Sequence, residues 1–147
     1  MGYDIDDDHH GAGGRPLLTP RLTPEPARVV PPAAAQPLLY AIVSFEAFEN
    51  SRRHGFWEGV DPNDVTVQLS KLALIMSEAG EAVEAVRDDW TKPSVKAVGH
   101  TVLAEELADI VIRCADFAGA MGIDLAQAII TKHQYNASRP HKHGRKA

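Results

Sequence analysis

Ser77-Glu78-Ala79-Gly80-Glu81-Ala82-Val83-Glu84 sets three glutamates into a stretch that otherwise reads as an apolar helix. A second acidic step, Glu105-Glu106-Leu107-Ala108-Asp109, follows after one loop. Both contain Glu-x-x-Glu/Asp spacing, so within each pair the carboxylates stand one helical turn apart on one side. Two such helices packed face to face would gather Glu78, Glu81, Glu106 and Asp109 into a small volume. Like charges at that distance repel unless a cation holds them together, and hard oxygen ligands of this kind suit Mg²⁺ or Mn²⁺. A fold that makes sense of this chain must therefore bring two acidic helices together.

The flanking sequence supplies the other helices. Residues 1–37 hold seven of the ten prolines among glycines, alanines and acids and read as a disordered segment. His9-His10, beside aspartates, is at most a weak metal site there. Residues 38–147 read as one helical domain. Leu39, Ile42, Val43, Phe45, Ala47 and Phe48 give a first helix from Leu38 to about Arg53, with Gly55 as its stop. Phe56-Trp57-Glu58-Gly59 is a loop, and Asp61-Pro62 reads as N-cap and first position of a second helix running to about Asp88. Its expected inner stripe is Leu72, Ile75, Met76, Ala79, Val83 and Val86, with Glu84 on the surface.

A third helix spans Val102 to Met121, closed by Gly122. Its stripe is Leu103, Leu107, Ile110, Cys114, Phe117 and Met121, and Glu105 and Asp116 point outward. Arg113, four residues after Asp109, reads as its ion-pair partner. Asp124 caps a fourth helix whose inner face, Leu125, Ala128 and Ile129, continues into Lys132 and Asn136. Polar groups continuing an apolar stripe either snorkel off the bundle or enter a polar site. The basic end, Arg139 to Lys146, follows. No segment reads as a strand, so the expected fold is all-α, a four-helix bundle. Its ordered part is small enough that apolar surface should seal against another subunit, as a homodimer or homotetramer.

Composition narrows the function. A net charge of -5 gives no reason to expect nucleic acid. The single Cys114 excludes an internal disulfide and points to a reducing cytoplasm, and no apolar run is long enough for a bilayer. A ferritin-like di-iron site would need Glu-x-x-His, a phosphate loop would need Gly-x-x-x-x-Gly-Lys, and zinc would need a Cys/His cluster; each pattern is missing.

The spacing of Glu78, Glu81, Glu106 and Asp109 resembles the MazG-type all-α nucleoside triphosphate pyrophosphohydrolases. The resemblance runs from about Leu38 to Lys146. Ile123 to Asn136 is similar to the last helix of the dCTP pyrophosphatase branch, and Tyr135-Asn136-x-x-Arg139-Pro140-x-x-His143-Gly144 to MazG-like bacterial and phage proteins. It implies Mg²⁺-dependent hydrolysis of a nucleoside triphosphate to monophosphate and pyrophosphate, with the four carboxylates as metal ligands. It further implies that Lys132, Asn136 and Arg139 serve the phosphates or sugar. For the base it points to the neighbourhood of His54, Phe56, Trp57 and Trp90, whose rings are equally suited to plugging a small core. Arg113 stands where that branch has a tyrosine and becomes a candidate substrate contact, which departs from a cytosine-binding pattern. Two alternatives stay open: a non-enzymatic acidic helical module that binds protein, and a phosphoribosyl-ATP-type pyrophosphohydrolase on the same scaffold.

Overall fold

A computed structural model describes residues 35–140. The expectations for residues 1–34 (the disordered segment, His9 and His10) and for residues 141–147 (the basic end) lie outside the described residues. Within them the chain is all-α, with one isolated bridge between Pro93 and Thr101.

The first rod is α1 (Ala35–Ala41), a π-helical stretch (Ile42–Glu46) and α2 (Ala47–Arg53). Ala41 and Ala47 both have right-handed helical backbone, so the rod is unbroken. Helix is already present at Ala35, the first described residue, ahead of the expected Leu38, and it takes in Pro37. A loop with Trp57 buried leads to α3 (Val65–Asp88). Its cap is Asp64, whose carboxylate accepts from the Thr66 N–H at 2.7 Å, not Asp61. Pro62 belongs instead to a turn closed by Asp64 N–H to the Asp61 carbonyl, and the Asp61 side chain is engaged by Asn63. Two capping aspartates three residues apart compete, and the one after the turn prevails.

α4 (Val102–Ala120) is the central helix, packed against α3, α2, the π stretch and α5 (Leu125–Ala137). Thr101 caps its start by accepting from Ala104 N–H. At its end Gly122, at φ +66°, lets Ile123 N–H reach the Ala118 carbonyl and Gly122 N–H the Gly119 carbonyl, a Schellman closure. Gly119 is required by packing: a Cβ there would lie 2.5 Å from Phe48 Cβ. That close approach sets the crossing of the first rod over α4.

The faces of α3 differ from the expected stripe. The side packed on α4 carries Glu78 and Ala82, both buried, with Lys71, Ile75 and Ala85 half-buried. Leu72, Met76, Val83 and Val86 are exposed. The helix has two apolar sectors, and the smaller side chains win the internal contact because they admit α4 more closely. Among the described residues the buried apolar ones are accordingly Ala47, Trp57, Ala82, Ala115, Ala118 and Ala126, and nothing large is fully enclosed. In α4 the expected core residue Leu107 is exposed. In α5 Leu125 and Ala126 pack, whereas every residue from Gln127 to Pro140 is exposed. Ala128 and Ile129 are therefore not an inner face, and Lys132 and Asn136 do not continue a buried stripe. No helix among the described residues is long and apolar enough to cross a membrane.

Candidate metal centre

The packing of α3 on α4 brings the two acidic steps together. Glu78 and Glu81, one turn apart on α3, and Glu106 on α4 each offer a carboxylate oxygen within 4.8 Å of the others. Their burial is graded: Glu78 is buried, Glu106 half-buried and Glu81 exposed, so the cluster opens to solvent beside Glu81. Asp109, the fourth expected ligand, is half-buried and one turn along from Glu106, outside that tight trio. It lines an adjoining cavity of about 470 Å³ between α2, α3 and α4.

Two features show that the trio is electrostatically incomplete. Oε2 of Glu106 is buried with no hydrogen-bond partner among the described residues. Burial, then repulsion from Glu81, Glu105 and Glu78, pushes the Glu106 carboxyl above its ordinary range. Among the described residues only Glu78 of the trio has a direct cation: Nε and Nη2 of Arg113 both lie 2.5 Å from its Oε1. Arg113 thus crosses from α4 to α3 and leaves Asp109, its expected partner four residues away, without an ion pair among the described residues. The i,i+4 rule describes neighbours on one exposed helix, and a buried carboxylate on the facing helix is the stronger attractor for a guanidinium.

The other expected residues are placed as follows. Arg113 lines the cavity together with Asp109, and so does the exposed ring of Phe56. Trp57 is buried; its Nε1 donates to Asp116 Oδ1 at 2.7 Å and its ring meets Phe48 edge-on at 5.8 Å between centroids. It pins the loop to α4, so Asp116 faces inward, against the expectation that it points outward. His54 is exposed, with Nδ1 2.8 Å from the Asn50 carbonyl. Trp90 is half exposed and does not line the cavity. Lys132 and Arg139 hold their charges over the Tyr135 ring, at 4.6 and 5.8 Å, and neither they nor Asn136 line the cavity. Glu84 is on the surface, paired with Arg87 at 2.8 Å. Cys114 is half-buried, and burial raises its thiol pKa.

Glu105 is the clearest correction. It is buried, not outward: Ser94 Oγ donates to it and Lys96 pairs with it at 2.8 Å. These partners, Lys96 first, lower its pKa. Ser94 also accepts from Ala97 N–H and donates its own N–H to the His100 carbonyl, so Glu105 is the anchor of the loop before α4. Lys71 was missed by sequence reasoning. Its Nζ lies 4.0 Å from the Trp57 ring centroid, and it lines the cavity. The signal was its position seven residues before Glu78, two turns away on the same face.

No family model, curated protein or solved structure matches the chain. The donor set itself fits a hard divalent cation: oxygen-only, three carboxylates, with one buried oxygen, Oε2 of Glu106, that has no partner among the described residues.

Proposed function

We propose that this chain is a divalent-metal-dependent hydrolase that cleaves a nucleoside triphosphate to the monophosphate and pyrophosphate, on a MazG-type helical scaffold. The observation that carries the reading is the unpartnered, buried Oε2 of Glu106 within a trio of carboxylates. Anions held this way without compensation are costly, and a hard cation removes the cost. Glu78, Glu81 and Glu106 would hold Mg²⁺ or Mn²⁺, with Asp109 reaching in from the cavity side. The ion would supply Lewis acidity toward phosphate oxygens and lower the pKa of water.

The chain's own residues do the remainder. Arg113 and Lys71 bring positive charge to the cavity margin, where it offsets charge developing on the phosphates. Asn50 and Ser51 offer polar groups for a sugar or base, and Phe56 an exposed ring for stacking. A cavity of about 470 Å³ suits a ligand of nucleotide size. Lys132, Asn136 and Arg139 enter this reading through the resemblance alone, and the positions of the cations favour Lys71 and Arg113 as phosphate contacts.

The non-enzymatic reading also has an observation behind it: the Arg113–Glu78 pair neutralises one carboxylate without any metal. The two separate in one experiment. Nucleoside triphosphates are incubated with Mg²⁺ or Mn²⁺ and the products followed by ³¹P NMR. Appearance of pyrophosphate, lost in Glu81→Gln and retained in Glu84→Gln, supports the hydrolase. Intact triphosphates throughout the panel would leave the acidic module.

A further inference from the structure

We propose that the cavity beside the carboxylate trio selects guanine, through the carboxylate of Asp116; the inference rests on the nucleotide reading above and names the base. Asp109, Arg113 and Asp116 stand at i, i+4 and i+7 on α4, one row along its face, and all three line the cavity. Seven residues of helical rise put Asp116 about 10 Å from Asp109, the end of that row nearest the trio. That is the span between a nucleotide's α-phosphate and the far edge of its base. A triphosphate anchored at the trio therefore brings its base edge to Asp116. The exposed ring of Phe56 and the amide of Asn50 line the same cavity.

Asp116 is an acceptor with one oxygen in use. Its Oδ1 takes the Trp57 Nε1 hydrogen at 2.7 Å, and Trp57 is itself buried against Phe48, so the carboxylate is held in one orientation. No cation pairs with it among the described residues. Arg113, three residues earlier, turns to Glu78, and Lys71 lies over the face of the Trp57 ring. The second oxygen of Asp116 has no donor among the described residues either, although the side chain is half-buried. A fixed, acceptor-only group in a cavity wall is matched by N–H groups on a ligand.

The bases differ in the N–H groups they can offer. Guanine alone among the common ones presents two adjacent donors on one edge, N1–H and the N2 amine. The amines of adenine and cytosine each stand beside a ring nitrogen whose lone pair a carboxylate repels. The N3–H of uracil or thymine lies between two carbonyl oxygens, which are repelled in the same way. A carboxylate accepts both guanine donors in charge-assisted hydrogen bonds. Asn50, on α2, offers an amide N–H for the neighbouring O6 carbonyl.

Calorimetric titration of the full chain, in Mn²⁺, with non-hydrolysable α,β-imido analogues of GTP, ITP, ATP, CTP and UTP tests this without turnover. The GTP analogue should bind about 10–100-fold tighter than the ITP analogue, which differs only in lacking the N2 amine. Asp116→Asn keeps an oxygen for Trp57 Nε1 and should hold the wild-type urea midpoint, but it places a donor where the carboxylate placed an acceptor. The variant should lose about 10–100-fold for the GTP analogue. It should instead favour the xanthosine analogue, whose C2 carbonyl replaces the amine. Equal affinity of the wild type for the GTP and ITP analogues overturns the proposal. So does tighter binding of any other base, the binding of no analogue, or a folded Asp116→Asn that still prefers guanine. If Asp116→Asn does not fold, the GTP–ITP comparison on the wild type decides alone. Pyrophosphate release separates this inference from the hydrolase reading. Selective binding of the guanine analogue with no pyrophosphate from GTP supports the base assignment and refutes hydrolysis. Pyrophosphate released equally from all five triphosphates overturns the base assignment and keeps the hydrolase.

Discussion

Replacing Arg113 by methionine should move two measurements in opposite directions. The side chain donates twice to Glu78 Oε1, and Glu78 is 7% exposed while Arg113 is 40% exposed. Breaking a fully buried pair costs about 3–5 kcal/mol, and breaking an exposed one about 0–1 kcal/mol. This half-sheltered pair falls between, at about 2 kcal/mol. Methionine keeps most of the stem's packing, so the loss is mainly that of the charge left on Glu78. In EDTA the variant should therefore unfold at lower urea, with an unchanged m-value and a stability loss of about 2 kcal/mol. If Glu78 is also a metal ligand, the guanidinium competes with the ion, and its removal should tighten Mn²⁺ binding. The same 2 kcal/mol corresponds to about 30-fold in affinity. Calorimetric titration with Mn²⁺ and urea melts with and without the ion measure both quantities. A variant that binds Mn²⁺ more weakly, or with unchanged affinity despite the lost stability, would refute the competition and leave Arg113 as a structural partner only.

Other outcomes follow from single contacts. The raised pKa of Glu106 means that the metal-free folded state holds a proton the unfolded chain has released. Its contribution to stability is present below the ordinary 4.5 and is lost as pH rises through the raised value, so Glu106→Gln should flatten the decline in urea midpoint as pH rises above 4.5. Glu105 acts oppositely, stabilising above its unfolded pKa and losing that contribution as pH falls through its lowered value. Ser94→Ala removes a donor to buried Glu105 and the acceptor for Ala97 N–H, which should cost about 1–3 kcal/mol without altering Mn²⁺ binding. Gly119→Ala drives a methyl into Phe48 and should cost on the order of 1–3 kcal/mol in thermal unfolding.

The helices and three members of the acidic cluster were legible because both rest on local spacing. A carboxylate pair three apart on a helix shares a side wherever that helix packs, so Glu78 and Glu81 were readable before any neighbour was known. The orientation of α3 was not. Its 24 residues carry an alanine-lined sector and a leucine–valine–methionine sector, and hydrophobicity alone favours the second. The choice is made by how closely α4 can approach, which no single-helix pattern encodes. Glu105 and Asp116 were misplaced for the same reason. Glu105 is buried and Asp116 half-buried because a distant group, Ser94 or Trp57, provides the hydrogen bond that offsets lost hydration. Arg113 illustrates the limit of neighbour rules, since its partner lies 35 residues away on another helix. Lys132 and Asn136 were drawn inward by periodicity, but α5 leaves the packed body after its first turn.

Mn²⁺ titration of the wild type beside Glu106→Gln tests the central claim most directly. The metal-centre reading predicts saturable binding to the wild type, accompanied by a rise in melting temperature. The glutamine variant, isosteric but uncharged, should show neither the binding nor the rise. Equal binding by both proteins, or by neither, would contradict the assignment of Glu78, Glu81 and Glu106 as a metal centre.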